Sequence, residues 1–109
     1  MTVPFEVTKH CDSDGVTRLR VRGELDRDVS EALTAVIGDA AEQYGVTELI
    51  VDLEEVTFLA AAGLHGLVLG RAVAVRRGYP YRVVNARGIV RRVLEITGLR
   101  HSLDSVIKA

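Results

Sequence analysis

Apolar and polar side chains alternate in the first part of the chain and then change to helical spacing. Over residues 16–22, arginines at every second position interleave with Leu19 and Val21. Alternation of this kind is typical of a strand with one face on the core. A second extended segment covers residues 5–10, and the sequence CDSDG at 11–15 favours a tight turn. The pattern therefore predicts that an antiparallel β-hairpin opens the fold.

The segment from residue 27 to 45 predicts the first helix, because its apolar residues recur at three- and four-residue spacing. Asp28 is the predicted N-cap, with Glu31 completing a capping-box-like pair, and Gly45 is the predicted stop. The next segment, TELIVDL at 47–53, is nearly all apolar, which indicates a strand covered on both faces. The predicted core stripe of the helix comprises Val29, Leu33, Val36, Ile37, Ala40 and Tyr44.

Residues 61–77, closed by a glycine, predict a second helix that is apolar almost all round. Leu69 and Val73 fall on one side of it, near His65 and Gly66. Two interpretations stay open: the helix is deeply buried, or this side is a surface for a partner. With about 100° between successive residues, the predicted core face on the opposite side consists of Leu64, Leu67, Val68 and Val75.

The last third of the chain predicts a short strand at 81–85, a third helix at 87–98 that Gly98 ends, and then a short strand or helical turn. The element order predicts an α/β fold in a single domain over residues 1–109. Its mixed sheet opens with the antiparallel hairpin, and about four helices pack on it. The third helix is expected to point Ile89, Val90, Val93 and Leu94 inward.

The composition is that of one globular domain in a reducing compartment. Hydrophobic residues make up 48% and charged residues 27% of the 109-residue chain, which argues against disorder. Cys11 is the only cysteine, so no disulfide forms within the chain. Neither a signal peptide nor a membrane-spanning run is predicted. We therefore expect a cytoplasmic protein.

Charge is divided unevenly along the chain. Residues 1–60 carry thirteen acidic and five basic residues, a net charge of −8, and residues 61–109 carry two acidic and nine basic residues, a net charge of +7. We interpret this as two halves that attract each other within one fold. Arg87, Arg91 and Arg92 lie off the apolar stripe of the third helix, but aromatic residues are only 5% of the chain. A solvated basic face is favoured over a nucleic-acid site, which would need a stacking platform.

The sequence patterns of common catalytic and cofactor sites are missing. No glycine-rich phosphate loop, paired-cysteine motif or zinc-protease motif occurs. His10, His65 and His101 share no ligand spacing, so no metal site is predicted. Asp52 ends an apolar strand, as the phospho-accepting Asp of a receiver domain does, but the lysine that a receiver needs after a later strand is missing. The sequence therefore predicts neither an enzyme nor a cofactor.

Three segments carry a family pattern: GELD at 23–26, LIVDLEEVTFLAAAGLHGL at 49–67 and VRRVLEITGL at 90–99. Together they resemble the STAS domain, the fold of anti-sigma-factor antagonists and of the cytoplasmic part of sulfate transporters. The resemblance covers nearly the whole chain in the family's element order. It implies a partner-switching protein: the unmodified antagonist binds a kinase-fold anti-sigma factor and frees the sigma factor, and phosphorylation of a Ser at the start of the second helix blocks that complex.

The same resemblance places the family's Asp-Ser-Ser-Gly phosphorylation motif on Ala-Ala-Ala-Gly at 60–63. Ala62 stands at the position of the phosphorylated Ser, so no phosphorylation is predicted there. Asp26 matches the family's acidic residue at the end of GELD and borders the same face, although it could instead be a helix cap. The partner-binding residues that the resemblance implies are Glu24, Asp26, Ala60, Ala61, Ala62, Gly63, His65, Gly66, Leu69 and Val73.

The sequence therefore predicts a non-enzymatic protein-binding module in the regulation of transcription. Its expected partner is an anti-sigma factor with a kinase fold or another STAS-interacting regulator, bound without a phosphorylation switch. Two alternatives stay open. One is a scaffolding subunit of a larger STAS or transport complex, for which a homodimer is one form. The other is binding of a nucleotide or anion by the basic half.

Overall fold

The computed structural model describes residues 4–97, which form four strands and three helices in one α/β unit. The prediction of about four helices is therefore wrong for this part of the chain, while Gly98 and the tail at 99–109 lie outside the described residues. The elements are β1 (Glu6–Cys11), β2 (Val16–Leu25), α1 (Ser30–Glu42), β3 (Glu48–Leu59), α2 (Ala61–Arg77), β4 (Tyr81–Val84) and α3 (Gly88–Thr97).

The four strands form one mixed sheet in the order β1-β2-β3-β4. β1 pairs antiparallel with β2, which confirms the predicted hairpin, while β2–β3 and β3–β4 are parallel. In the hairpin turn, Asp12 Oδ1 accepts hydrogen bonds from the backbone N–H groups of Asp14 and Val16. The carboxyl ends of β2 and β3 lie side by side, with Leu25 opposite Leu59, so the loops that follow them are neighbours.

The core lies between the sheet and the helices. Leu19, Val21 and Leu25 of β2 are fully or almost fully buried, whereas the arginines between them point to the other face. β3 is buried continuously from Leu49 to Leu53, as its nearly all-apolar sequence predicts, and the one charged residue of this run, Asp52, is buried as well. Because strand side chains alternate, this burial means that both faces of β3 are covered there.

Glycines on α2 allow α1 to approach closely. A Cβ at Gly66 would lie 3.1 Å from the Cα of Thr34, so the two helix backbones meet at this level. A Cβ at Gly70 would lie 2.6 Å from Ile37 Cγ2 and 2.8 Å from the ring of Tyr81. The buried Tyr81 hydroxyl also donates to the carbonyl oxygen of Leu67 at 2.7 Å, which ties α2 to β4.

The close contact between α1 and α2 corrects part of the predicted faces of the second helix, whose Leu64 and Leu67 are buried as expected. Val73 is buried and Leu69 is half-buried and lies 3.6 Å from a Cβ built on Gly38 of α1, so neither belongs to an exposed strip. Val68 and Val75, which were expected in the core, are 41% and 50% exposed. The sheet and α1 together cover α2 from two sides, and the interpretation of deep burial is correct for the side that carries Leu69 and Val73.

The ends of the other two helices also differ from the prediction. α1 starts at Ser30 with Val29 at the N-cap position and without a side-chain cap, so Asp28 is not the cap. The helix ends at Glu42, before Tyr44, whose side chain is 97% exposed rather than part of the core. On α3, Ile89 is exposed as well. No helix among residues 4–97 is long and apolar enough to cross a membrane.

Candidate functional site

The link between β3 and α2 consists of one residue, Ala60, between Leu59 and Ala61. Its backbone N–H donates to the carbonyl oxygen of Leu25 at 2.9 Å, and its own carbonyl accepts from Gly63 N–H at 2.9 Å. Ala60 is the N-cap residue of α2, in an extended conformation, and no side chain caps the helix. Backbone groups alone therefore hold the start of α2 against the end of β2.

The predicted site residues at this link divide into covered and accessible positions. Gly63 is buried, because a Cβ there would lie 2.9 Å from Leu59 Cδ1 and 3.2 Å from the Leu25 carbonyl oxygen. Ala61 and His65 are exposed, and Ala62 is half-buried. Gly63 thus sets the position of the helix, as Gly66 does further along, while the side chains of Ala61 and His65 stay accessible.

The neighbouring loop, between β2 and α1, is built around Asp26. Its Oδ1 accepts from the backbone N–H groups of Asp28 at 3.0 Å and Val29 at 3.2 Å. The side chain of Ser30 donates to the carbonyl oxygen of Arg27 at 2.8 Å. The cap-like role weighed for Asp26 is therefore real, although it organises the loop before α1 and not the helix itself. The half-buried Asp26 keeps one carboxylate oxygen for other contacts.

A shallow groove of about 620 Å³ separates the first turns of α1 and α2. Ala62, the predicted site residue in the first turn of α2, lies on one wall. The opposite wall belongs to α1, which the sequence did not indicate, because it carries no recognised motif. The lining residues are Ser30, Glu31, Thr34, Ala35, Ala62 and His65.

The stretch of chain that leads to the groove is rich in acidic residues. Glu31 lines the groove, and Glu24, Asp26 and Asp28 precede it along the chain, with Arg27 as the basic residue among them. Glu24 lies opposite Phe58 in the β2–β3 register, and Phe58 is partly exposed. We define the junction face as Glu24, Asp26, Ala60, Ala61, Ala62 and His65, which the folded chain brings to one end of the sheet. Of the other predicted site residues, Gly63, Gly66 and Val73 are buried.

Asp52 is buried on the strand β3 but has no free acceptor for chemistry. Its Oδ2 accepts from Arg18 at 2.7 Å, and its Oδ1 accepts from Glu54 N–H and from Asn85 Nδ2. Burial alone would raise the pKa of Asp52, but these hydrogen bonds and the charge of Arg18 hold it below its ordinary value of 3.8. Asp52 therefore joins β2, β3 and the residue after β4 through hydrogen bonds. It does not resemble a phospho-acceptor with an open carboxylate.

Two arginines at the start of the α3 region make contacts within the fold. Arg91 of α3 pairs with Glu95 one turn later, and Arg87, just before α3, donates to the carbonyl oxygen of Glu54. Within the described part of the chain, no group of three or more His, Cys, Asp or Glu side chains could hold a metal ion.

Comparison with known proteins gives one consistent family. A family model described as "Mlab, STAS domain" matches residues 11–107. An anti-sigma F factor antagonist from Lysinibacillus sphaericus is 36% identical over 99 residues, covering 83% of this chain and 80% of that protein. Another from Paenibacillus polymyxa is 27% identical over 100 residues, covering 91% of this chain and 82% of that protein.

A solved structure extends the likeness to three dimensions. The crystal structure of an anti-sigma factor antagonist from Mycobacterium paratuberculosis has a TM-score of 0.75 at 30% identity, covering 96% of this chain and 92% of that one. An antagonist acts by binding, which agrees with the prediction of a non-enzymatic binding module. The chain belongs to the STAS domain family, in its anti-sigma-factor antagonist group.

Proposed function

We propose that this protein binds an anti-sigma factor through the junction face, and that phosphorylation at residue 62 does not control the binding. The partner would be a protein of the kinase fold, and capturing it would release a sigma factor for transcription. The observation that carries the proposal is the position of Ala62 on the wall of the groove, inside the junction face.

The relatives support a partner-switching role. Three of them that span most of this chain are anti-sigma factor antagonists by name. A partly apolar groove that Glu31 lines suits a protein partner, because complementary charge steers association and the apolar centre is freed of water.

The absence of a switch at residue 62 rests on chemistry. A phosphoryl group is attached to a side-chain oxygen or nitrogen, and Ala60, Ala61 and Ala62 have neither. The two hydroxyls on the opposite wall are engaged: Ser30 donates to the Arg27 carbonyl and Thr34 donates to the Ser30 carbonyl, each at 2.8 Å. A phosphate adds roughly −1.5 to −2 charges, which is enough to break a close contact. The three alanines have no side-chain atom that could carry it.

The test is a titration of the purified protein against the kinase-fold anti-sigma factors encoded in the same genome, with and without ATP. We expect a complex with one of them that is stable to ATP, and an intact mass without added phosphate. A stoichiometric phosphate on residues 57–66 would contradict the absence of a switch. Failure of every such anti-sigma factor to bind would contradict the choice of partner.

The variant Ala62→Ser sharpens this test by restoring the hydroxyl in the groove. We expect it to bind the same anti-sigma factor and to be phosphorylated and released when ATP is added. Ala72→Ser, on an exposed turn of the same helix, is the matched control and should stay bound. If the wild-type complex dissociates with ATP as completely as the Ala62→Ser complex, the protein is controlled at another residue and the proposal is wrong on this point.

A further inference from the structure

The first strand, β1, is an edge strand whose outer side is exposed. The sheet order is β1-β2-β3-β4, and within residues 4–97 no strand pairs with the outer edge of β1. All residues of Glu6–Cys11 pair with β2 in an unbroken register, so this strand has no bulge. They are exposed, except that Val7 is half-buried. An edge of this kind offers unpaired backbone groups to another strand.

The pairing with β2 shows which backbone groups of β1 point outward. Asp12 N–H donates to the carbonyl oxygen of Val16 at 3.1 Å, so these two residues form a hydrogen-bonded pair of the hairpin. In an antiparallel ladder, such pairs alternate with pairs that are not hydrogen-bonded. The N–H and C=O groups of Val7, Lys9 and Cys11 therefore point away from β2. The outer edge thus presents a regular row of donors and acceptors.

The charged side chain that could protect this edge is held elsewhere. Edge strands are commonly shielded by charged side chains, lysine above all. In this chain, Lys9 Nζ donates to Gln43 Oε1 of α1, on the helix side of the sheet. Glu6 and Thr8 line a groove on the opposite side of the sheet. The lysine of β1 is therefore turned toward α1 and does not shield the edge.

We propose that the outer edge of β1 pairs with the same edge of a second copy of this chain, antiparallel about a two-fold axis at Thr8. The outward groups permit this register, because Val7 then faces Lys9 of the other copy as a hydrogen-bonded pair, twice by symmetry. The two sheets would join into one, with the helices on the same side. Lys9 also lines a groove with Asp39 and Glu42, so the acidic residues of α1 that adjoin β1 have a lysine beside them in each copy.

Complementary side chains favour a second copy as the occupant of this edge. With the axis at Thr8, Glu6 faces His10 of the other copy, and an imidazole N–H can donate to the carboxylate. Glu6 has room for this contact, because its pair with Arg22 is long, at 3.9 Å, and its side chain is 63% exposed. Symmetry makes the same contact twice, so a second copy supplies the match without any further sequence requirement.

The two neighbouring axes that the outward groups also permit are less favourable. An axis at Lys9 would place Lys9 against Lys9 and Glu6 against Asp12, and like charges directly opposite each other are destabilising. An axis at Val7 would leave Glu6 opposite Thr8, with no charge of opposite sign. Of these three registers, the axis at Thr8 is the one that gives Glu6 a complementary partner.

The inference does not depend on the proposed function, because β1 contains no residue of the junction face. The two junction faces of the dimer would lie at opposite ends, since the paired strands run in opposite directions. Binding of an anti-sigma factor and formation of the dimer are therefore measured separately, and either can fail without the other.

The first experiment is sedimentation velocity of the purified chain at about 1–300 μM, which covers the affinities expected of a small interface. We expect a reversible equilibrium between monomer and dimer. A reductant should leave it unchanged, because Cys11 faces Phe5 of the other copy and not Cys11 in this register. A monomer at every concentration would overturn the proposal.

The second experiment removes one outward N–H from each chain. Proline is tolerated on an edge strand where the missing N–H faces solvent, so Lys9→Pro should keep its fold, which circular dichroism checks. Lys9→Ala is the matched control, because it lacks the same amine but keeps the N–H. We expect Lys9→Pro to raise the dissociation constant of the dimer about tenfold, with a much smaller change from Lys9→Ala. Equal dissociation constants for the two variants would contradict backbone pairing.

The third experiment tests the register and does not need a proline. In a pair that is not hydrogen-bonded, the two Cα atoms are about 4.5 Å apart, which is within reach of a disulfide. Thr8→Cys in a Cys11→Ser background should therefore cross-link into a dimer under mild oxidation. Glu6→Cys in the same background is the matched control, because its two copies would lie about 14 Å apart and should not cross-link. Equal cross-linking of both variants, or of neither, would overturn the proposal.

Discussion

The two loops that leave the neighbouring ends of β2 and β3 both lead into a helix, but different groups hold them in place. The first has four residues before α1 and is organised by the carboxylate of Asp26, which accepts from two backbone N–H groups. The second consists of Ala60, and a backbone hydrogen bond to Leu25 holds it. A helix can thus start on this sheet with or without a side-chain oxygen.

This difference explains how α2 can start at three alanines. The N-terminal position of α2 is fixed by the buried Gly63 and by the Ala60–Leu25 hydrogen bond, neither of which needs a side chain. Local helix stability therefore imposes no hydroxyl on residues 60–62. What a hydroxyl there would add is a point of control, which is the role that we propose this chain lacks.

The largest effect on both loops is expected from weakening the contact between β2 and β3, because both loops start at the ends of these strands. Arg18 and Asp52 join these strands at 2.7 Å, and Arg18 is partly exposed. We expect Asp52→Ala to lower the free energy of unfolding by roughly 2–3 kcal/mol, because Asn85 and the Glu54 N–H also lose their acceptor. Urea titration of both proteins measures the change.

The pKa of the same carboxyl group gives a pH signature. Because the folded-state pKa of Asp52 lies below 3.8, its charge stabilises the protein fully above the unfolded value and the contribution is lost as the pH falls through the folded value. The difference in free energy of unfolding between wild type and Asp52→Asn should therefore shrink below about pH 4. A difference that stays constant from neutral to acidic pH would contradict the ionised state of Asp52.

The next largest effect is expected at the glycine that keeps α1 and α2 close. Gly70→Ala places a Cβ within 3 Å of Ile37 and Tyr81, and we expect a net loss of roughly 1–2 kcal/mol despite the better helix propensity of Ala. Gly38→Ala meets its nearest neighbour at 3.6 Å, so it should be neutral or stabilising. Thermal unfolding of the pair measures the contrast, and equal effects would mean that the helices are not in tight contact.

The Asp26 loop can be tested alone. Asp26→Ala removes the acceptor of two N–H groups and should cost about 1 kcal/mol, the usual value of a capping side chain. Asp26→Asn keeps an acceptor oxygen and should cost less, while it removes the charge from the junction face. If Asn restores stability but not binding to the anti-sigma factor, the loop role and the partner role of Asp26 are separate. If Asn costs as much stability as Ala, the carboxylate charge and not the hydrogen bonds holds the loop.

The smallest effect is expected from giving the second loop the oxygen that it lacks. Ala60 already has the extended conformation of an N-cap, so Ala60→Asp should accept from the first turn of α2 and raise stability by about 0.5–1 kcal/mol. Chemical denaturation measures the gain, with Ala72→Asp on the exposed middle of α2 as the control. A loss of stability at residue 60 would mean that the Leu25 contact leaves no space for the side chain.

Much of the fold could be predicted from local pattern. The hairpin follows from alternation, the apolar run predicts the covered strand β3, and α2 has the predicted bounds of 61–77. These features depend on spacing within one segment. The errors concern which way a segment faces: Val73 is buried and Val75 is exposed because α1 lies beside α2, and the apolar spacing of α2 does not show on which side α1 packs.

The candidate site was predicted only in part for the same reason. Ala62 was placed by its motif, but its neighbours Ser30 and Thr34 on α1 belong to another segment and carry no motif. The signal that could have found them is Gly66, a helix-interior glycine that marks a close approach. Asp28 was preferred to Asp26 as the helix cap because the two carboxylates are two residues apart, and only the backbone path decides which one turns inward.

The uncapped first turn of α2 offers a way to detect the formation of a complex. The amide protons of Ala61 and Ala62 have no side-chain acceptor in the free protein. An incoming carbonyl or carboxylate oxygen would complete that turn and slow the exchange of these protons with deuterium. Their exchange rates would then report occupancy of the surface directly, at residues that carry no chromophore.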